Sequence, residues 1–449
     1  MESERKTHSM LRALPAFATL AAITLVFACD SGTPPVLGAA ITIADAGATH
    51  PTVEIDGQRG IHYVAWVGVQ NDEANVYLTR STDGQTFDRP VRVNDIPGDA
   101  APHEQAPAQV AVAPDGTVFV AWQNNQHAEG RPFAYSNLRL ARSDDGGRTF
   151  EPAITINDDV TLGPASHTFH DMIVARNGTV YVSWIDGRAR AAAERERAAS
   201  AAPGDSTMHE HAGHDLENAP PQEIRVARST DSGRSFGPST VVAIDPCPCC
   251  RTSLAITDDG AIILGWRGIL DGSIRDIVLA RSTDGGSTFA APARVHDDGW
   301  HIEGCPHAGP SIATTGDGLV HIAWYTGAEG EPGVYHAVST DDGVTFGDAQ
   351  PLLAGDWVPI SRVHLAAAGN RLLGVWDDVR TDPARPRIAW IGPEGVASDT
   401  LATGGTFPVI AADAGYVIAA WLEGDIVRVR TMMLDRAQPP ATATSDDSR

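Results

Sequence analysis

Lysine is absent from the chain after Lys6, which excludes Schiff-base and lysine-nucleophile chemistry from everything downstream. Basic residues as a whole are few, 33 against 57 carboxylates, for a formal charge of −24 at pH 7. Such a surface repels phosphate backbones, so no nucleic-acid partner is expected. Aromatics make up only 6% of the chain and cysteines number 5. Long apolar runs are also missing, apart from one between Leu14 and Ala28 that is short for a bilayer span. That run follows Arg5, Lys6 and Arg12 and stops at Cys29, the layout of a cleaved export signal.

What is abundant is turn chemistry, with Gly 44 and Pro 30. Around the cleavage point, Val26-Phe27-Ala28-Cys29 resembles the bacterial lipoprotein signal. The resemblance implies that residues 1–28 are removed, that Cys29 carries a lipid, and that residues 29–38 are a tether. The protein is then expected in the bacterial envelope, membrane-anchored on the periplasmic or extracellular side.

One eight-residue pattern recurs: Ser143–Phe150 (SDDGGRTF), Ser229–Phe236 (STDSGRSF), Ser282–Phe289 (STDGGSTF) and Ser339–Phe346 (STDDGVTF), with a shortened copy at Ser81–Phe87 (STDGQTF). Its chemistry is that of a hairpin turn. Ser and Asp side chains bond nearby amides, Gly takes positive φ, and the aromatic ring plugs the sheet. Ahead of or between these turns, seven alternating strands end in tryptophan: Trp66, Trp122, Trp184, Trp266, Trp324, Trp376 and Trp421. Seven units of this size read as four-stranded blades, with the tryptophans as inter-blade packing. The last unit lacks a fourth strand, and Ala39–Asp45 (AAITIAD) matches the fourth strand of another unit, Ala153–Asp158 (AITIND). The expected fold is therefore an all-β, seven-bladed β-propeller over residues 39–434, closed by its N-terminal strand, with six blades as the alternative. An insertion at about 188–221 lengthens unit three, and residues 435–449 read as a disordered tail.

The turn pattern resembles the Asp-box (BNR repeat) of the sialidase-like propellers, S-x-D-x-G-x-T-W/F. The resemblance implies that these turns lie on the face away from any active site.

Residues at the starts of the innermost strands share the opposite face. They include His50, His103, Glu104, His167, His170, Asp171, Cys247, Cys249, Cys250, Arg251, His301, Cys305, His307, Arg362 and His364. The CPCCR segment (Cys247–Arg251) and the GCPH segment (Gly304–His307) sit at matching places in neighbouring units. Thiolates with imidazoles suit copper or zinc. In an oxidising compartment the same cysteines also suit disulfide staples, and a redox thiol is a third possibility. The insertion adds Met208, His209, His211 and His214, a metal-scavenging composition or a plain polar loop.

A sialidase-like activity on sialic acid or a related acidic glycan would draw on Arg251, Arg267 and Arg362 as a carboxylate clamp, with Tyr325 and Asp171. The Arg-Ile-Pro motif of that family is missing, and Thr49-His50-Pro51 stands in its place. The leading expectation is a non-hydrolytic binding propeller with a His/Cys metal face; hydrolysis and a disulfide-stapled scaffold are the alternatives.

Overall fold

A computed structural model describes residues 34–126, 134–200, 220–355, 357, 359, 361–393 and 395–434. The signal segment, Cys29, His209, His211, His214 and the tail 435–449 lie outside the described residues. The described chain forms seven antiparallel sheets of four strands each. Blades one to six run consecutively over Ala48–Arg92, Gln109–Thr155, His167–Ile244, Ser253–Arg294, Ser311–Ala354 and His364–Thr400. The first strand of each blade touches the first strands of both neighbours, so these strands line the centre of a closed ring.

Blade seven takes three strands from Thr406–Met433 and its outer strand from Ile41–Ala44. Ile41 pairs with Val429, and the Gly38 amide donates to the Thr431 carbonyl at 2.8 Å. The N-terminal strand thus closes the ring, as its match to Ala153–Asp158 implies, and the six-bladed alternative falls away. Closure leaves no blade face without a neighbour, which suits second strands such as Val118–Gln123 that are buried along their whole length. The seven tryptophans all stand in second strands and all are buried. Where the indole N–H is partnered it meets an acceptor of its own strand, as in Trp184 to Asp186 at 2.8 Å, or of the connection leading into its blade, as in Trp324 to Asp298 at 2.7 Å.

Each Asp-box is the turn between the third and fourth strands of its blade, and it has two functions. Locally, Ser282 Oγ donates to Asp284 Oδ1 and accepts from the Gly286 amide, while Asp284 accepts from the Ser287 and Thr288 amides and the Thr288 hydroxyl. Between blades, each turn seats on its predecessor. Gly147 lies over Leu78 and Tyr63, Gly233 over Phe119, Gly286 over Tyr181 and Gly343 over Ile263. Gly343 shows why glycine is required: its φ is +79°, and a Cβ there would stand 2.6 Å from Ile263. The shortened first box meets blade seven instead, where Thr431 Oγ1 donates to the Gly84 carbonyl at 3.0 Å.

These hydrogen bonds hold the box carboxylates below their ordinary range. The Thr288 hydroxyl and amide bring Asp284 to about 2, and the Thr345 hydroxyl and amide do the same for Asp341. A folded pKa below the unfolded one gives stability that is complete above pH 4 and is lost as pH falls toward 2. Thermal melts from pH 5 to pH 2 should show this decline. The Asp284→Asn, Asp341→Asn double variant should be less stable at pH 7 and show a shallower acid limb; an unaltered acid limb would contradict the assignment.

Candidate functional site

Three innermost strands open with the same irregularity. The pairing register slips between Thr49 and Thr52, between Thr168 and Asp171, and between Thr406 and Val409. At each slip one residue has left-handed backbone: His50 (φ 35), Phe169 (φ 57) and Phe407 (φ 56). Such bulges re-aim side chains at the rim of a ring, at a conformational cost of roughly 1–2 kcal/mol for a non-glycine residue. The His50 ring meets the Phe407 ring edge-on at 4.4 Å, and His103 meets Phe169 at 5.3 Å. The repeated segments Thr49-His50-Pro51 and Thr406-Phe407-Pro408 share this geometry, a signal that would have placed Phe407 at the site.

Between these bulges lies a cavity at the channel mouth, lined by His50, Glu104, Arg251, Ser361, Arg362, His364 and Phe407 among others. Its free space is ≈ 20 Å³, room for a water or one small polar group and too little for a sugar ring. Two buried guanidiniums converge here on one carboxylate. Arg251 Nη2 is 3.5 Å and Arg362 Nη2 4.0 Å from Asp171 Oδ1, while Asp171 Oδ2 accepts from the Leu254 amide at 2.8 Å. Arg362 is otherwise held by the Thr252 and Pro310 carbonyls and by His364 Nε2. Arg251 donates through Nε to the His170 carbonyl, but its buried Nη2 has no hydrogen-bond partner.

The charge here is unbalanced. Burial and then the Arg362 guanidinium pull Arg251 down to about 9, and burial lowers Arg362 as well. The histidines add no positive charge near pH 7. Burial lowers His50 to about 4 with help from His103, burial and Arg251 lower His170 to about 3, and burial with both arginines holds His364 far below its usual value. Among the buried charges, two cations stand against one anion, with a spare donor and with Glu104 exposed at the rim, an arrangement an anionic group would complete.

The cysteines gather separately. Cys247, Cys249 and Cys250 are buried and free, packed at the interface of blades three and four with Phe169, Ile224, Leu254 and Trp266. Cys247 Sγ is 3.0 Å from Cys250 Sγ and 3.7 Å from Cys249 Sγ. Hydrogen bonds from the neighbouring thiols, with Arg267, favour the thiolate at Cys247, whereas those same contacts with Cys247, and burial, keep Cys249 and Cys250 protonated. Cys305 is exposed, near Cys249 but outside the group of three converging sulfurs. The single His/Cys ring read from the sequence is therefore two centres: His50, His170 and His364 with the arginines, and the sulfurs apart. His301 and His307 are exposed, and His103 stands near both Phe169 and His307.

The residues named for hydrolysis divide likewise. Arg251, Arg362 and Asp171 come together. Arg267 does not join them: its guanidinium donates to the carbonyls of Ala308, Arg275 and Tyr325. Tyr325 is buried between Trp300 and Trp357, outside the cavity lining. A further cluster, Asp159, His167 and Asp186, is occupied by Arg188, which bonds Asp158 at 2.7 Å and Asp186 at 2.8 Å.

Asp377, behind the pocket, has no sequence signature beyond following Trp376. It accepts from Ser361 Oγ at 2.6 Å, and burial raises it to about 6. Because that value exceeds the unfolded one, stability is complete below pH 4 and falls as pH rises to 6, at a cost on the order of 2–3 kcal/mol above it. Asp377→Asn should therefore raise the melting temperature at pH 8 and leave it unchanged at pH 4. Equal shifts at both pH values would rule out the buried charge as the cause.

No family model matches the sequence, and no curated protein matches it significantly. Solved structures do share its fold. A PL25 ulvan lyase aligns over 89% of this chain and 96% of its own at 12% identity, TM-score 0.54. The polysaccharide lyase Uly1 covers 89% and 100% at 12% identity, TM-score 0.51. The microbial sialidase Hz136 covers 90% and 97% at 13% identity, TM-score 0.48. At such identities the likeness is one of architecture: the chain is a β-propeller of the kind these polysaccharide lyases use.

Proposed function

We propose that this protein is an envelope-anchored, sialidase-like propeller that binds an acidic saccharide at its channel mouth without hydrolysing it. The observation that carries this reading is the buried Arg251 Nη2, which has only a long 3.5 Å ion pair with Asp171 and no hydrogen bond, beside a second buried guanidinium. A carboxylate accepts from such a pair in a fixed geometry that a neutral sugar cannot use. The cavity admits a carboxylate-sized group and leaves the sugar ring over the rim, where Glu104 and Phe407 stand. One ulvan lyase of the same fold is seen bound to -[GlcA(1-4)Rha3S]-, an acidic saccharide. Among the described residues the lining contains no tyrosine to act as nucleophile, which speaks for binding over sialidase-type hydrolysis. Metal binding, the other role the sequence assigns to this face, falls to the cysteines and is independent of this pocket.

Calorimetry with sialyl and uronate oligosaccharides tests the reading. Wild type should bind carboxylate-bearing glycans and not their neutral or carboxyl-reduced counterparts. Arg362→Ala and Arg251→Ala should weaken binding roughly 10- to 100-fold, the scale of a lost charge-assisted hydrogen bond. Failure to bind any acidic glycan sinks the proposal; release of a fluorogenic aglycone from a sialoside would replace it with the hydrolytic reading.

A further inference from the structure

We propose that Cys247, Cys249 and Cys250, closed from the solvent side by Cys305, form an all-sulfur site for a thiophilic d10 cation, Zn(II) or Cu(I). The case begins with convergence. Three buried sulfurs from a single four-residue segment lie with all their ligand atoms within 4.8 Å of one another. A tetrahedral ion with metal–sulfur bonds of about 2.3 Å holds its sulfurs roughly 3.8 Å apart. The Cys247–Cys249 separation of 3.7 Å already has that value, and the Cys247–Cys250 pair at 3.0 Å needs to open by less than one ångström.

The backbone holds this geometry without help from an ion. The Cys247 amide donates to the Arg267 carbonyl at 3.0 Å, and the Cys250 amide turns back to the Cys247 carbonyl at 3.4 Å. Cys305 arrives from the next blade on a loop that presses against this segment. At its end a Cβ on Gly309 would stand 2.0 Å from the Arg251 carbonyl, so only glycine permits the approach. That close fit brings the Cys305 loop against the segment and leaves Cys305 exposed near Cys249, outside the group of three, so it would swing in as the fourth and accessible ligand.

The surroundings select the ion. No histidine or carboxylate belongs to the group of three, and Phe169, Ile224 and Trp266 exclude water from it. Hard cations that need oxygen ligands are therefore disfavoured, and soft or borderline ones favoured. Four thiolates around Zn(II), or three around Cu(I), carry two net negative charges. Two arginines stand ready to offset them: Arg275 Nη1 donates to Cys247 Sγ at 3.5 Å, and the buried Arg267 acts on Cys247 and Cys250. The ligands that are still protonated lose their protons to solvent as the ion enters, so no oxidant or reductant is consumed.

The test uses full-length protein recovered anaerobically from the envelope, without a His-tag. Metal content, thiol titration, and titration with Zn(II) alone or with Cu(I) alone under a chelating competitor are measured. One equivalent of either ion per chain, with the four thiols protected from alkylation while it is bound, is the expected result; the two titrations decide which ion it is. Cys305→Ser, a change at an exposed residue, should leave the melting curve of the metal-free protein in place. It should weaken binding by roughly 10- to 100-fold or more, the range in which even outer-shell changes act. Cys250→Ser should abolish binding, with circular dichroism checking its fold. Recovery of the cysteines as two disulfides, or reduced protein that takes up neither ion, overturns the proposal.

Discussion

The pairing of Ile41–Ala44 with the strand Ile426–Met433 is the contact on which the ring depends. Each blade is a twisted sheet with two apolar faces, and neither face is covered unless a blade stands on each side. An open series of seven would leave two such faces in water, together with the unpaired edge of blade seven. Supplying the seventh blade's outer strand from the other end of the described chain converts that series into a ring. The first Asp-box then locks across the same junction, through Thr431 and Gly84.

A closed ring fixes the radial position of the innermost strands, and that is what makes the channel mouth usable. Arg251, Arg362 and Asp171 come from three different blades, yet two guanidiniums and a carboxylate meet within 4.0 Å. No local segment could enforce such a meeting against the cost of burying two cations. The bulges at His50 and Phe407 complete the arrangement by placing both side chains in the cavity lining beside the arginines. Rigidity made elsewhere is here converted into a buried, incompletely neutralised charge, on which the proposed binding of an anionic group rests.

Much of this was legible in the sequence because repeats expose it. Ser143-Asp144-Asp145-Gly146-Gly147 and its copies announce their turns through side-chain chemistry that acts over a few residues. The match between Ala39–Asp45 and Ala153–Asp158 gives the closing strand by the same logic. The clustering of Arg251, Arg362, His50 and His364 follows from their shared place at strand starts. What sequence position does not encode is distance from the axis. Cys247–Cys250 precede the innermost strand of blade four just as His50 begins that of blade one, but the Cys247–Arg267 backbone bond draws the segment outward to the blade three–four interface. Arg267 and Tyr325 are similarly well placed in sequence, and packing turns both away from the channel. The burial of Asp377 on Ser361 and the left-handed backbone of Phe407 are not written in sequence position, because both are properties of the assembled ring.

The seating of each Asp-box on the preceding blade gives the ring a direction as well as a closure. Blades one to four are each clamped by the box of the next blade, and the first box clamps the seventh. Blades six and seven carry no box, so the two boundaries of blade six lack this clamp. The five clamped junctions tie blade seven and blades one to five into one continuous arc, and blade six is where opening of the ring would begin, as the end units of an open repeat array fray first.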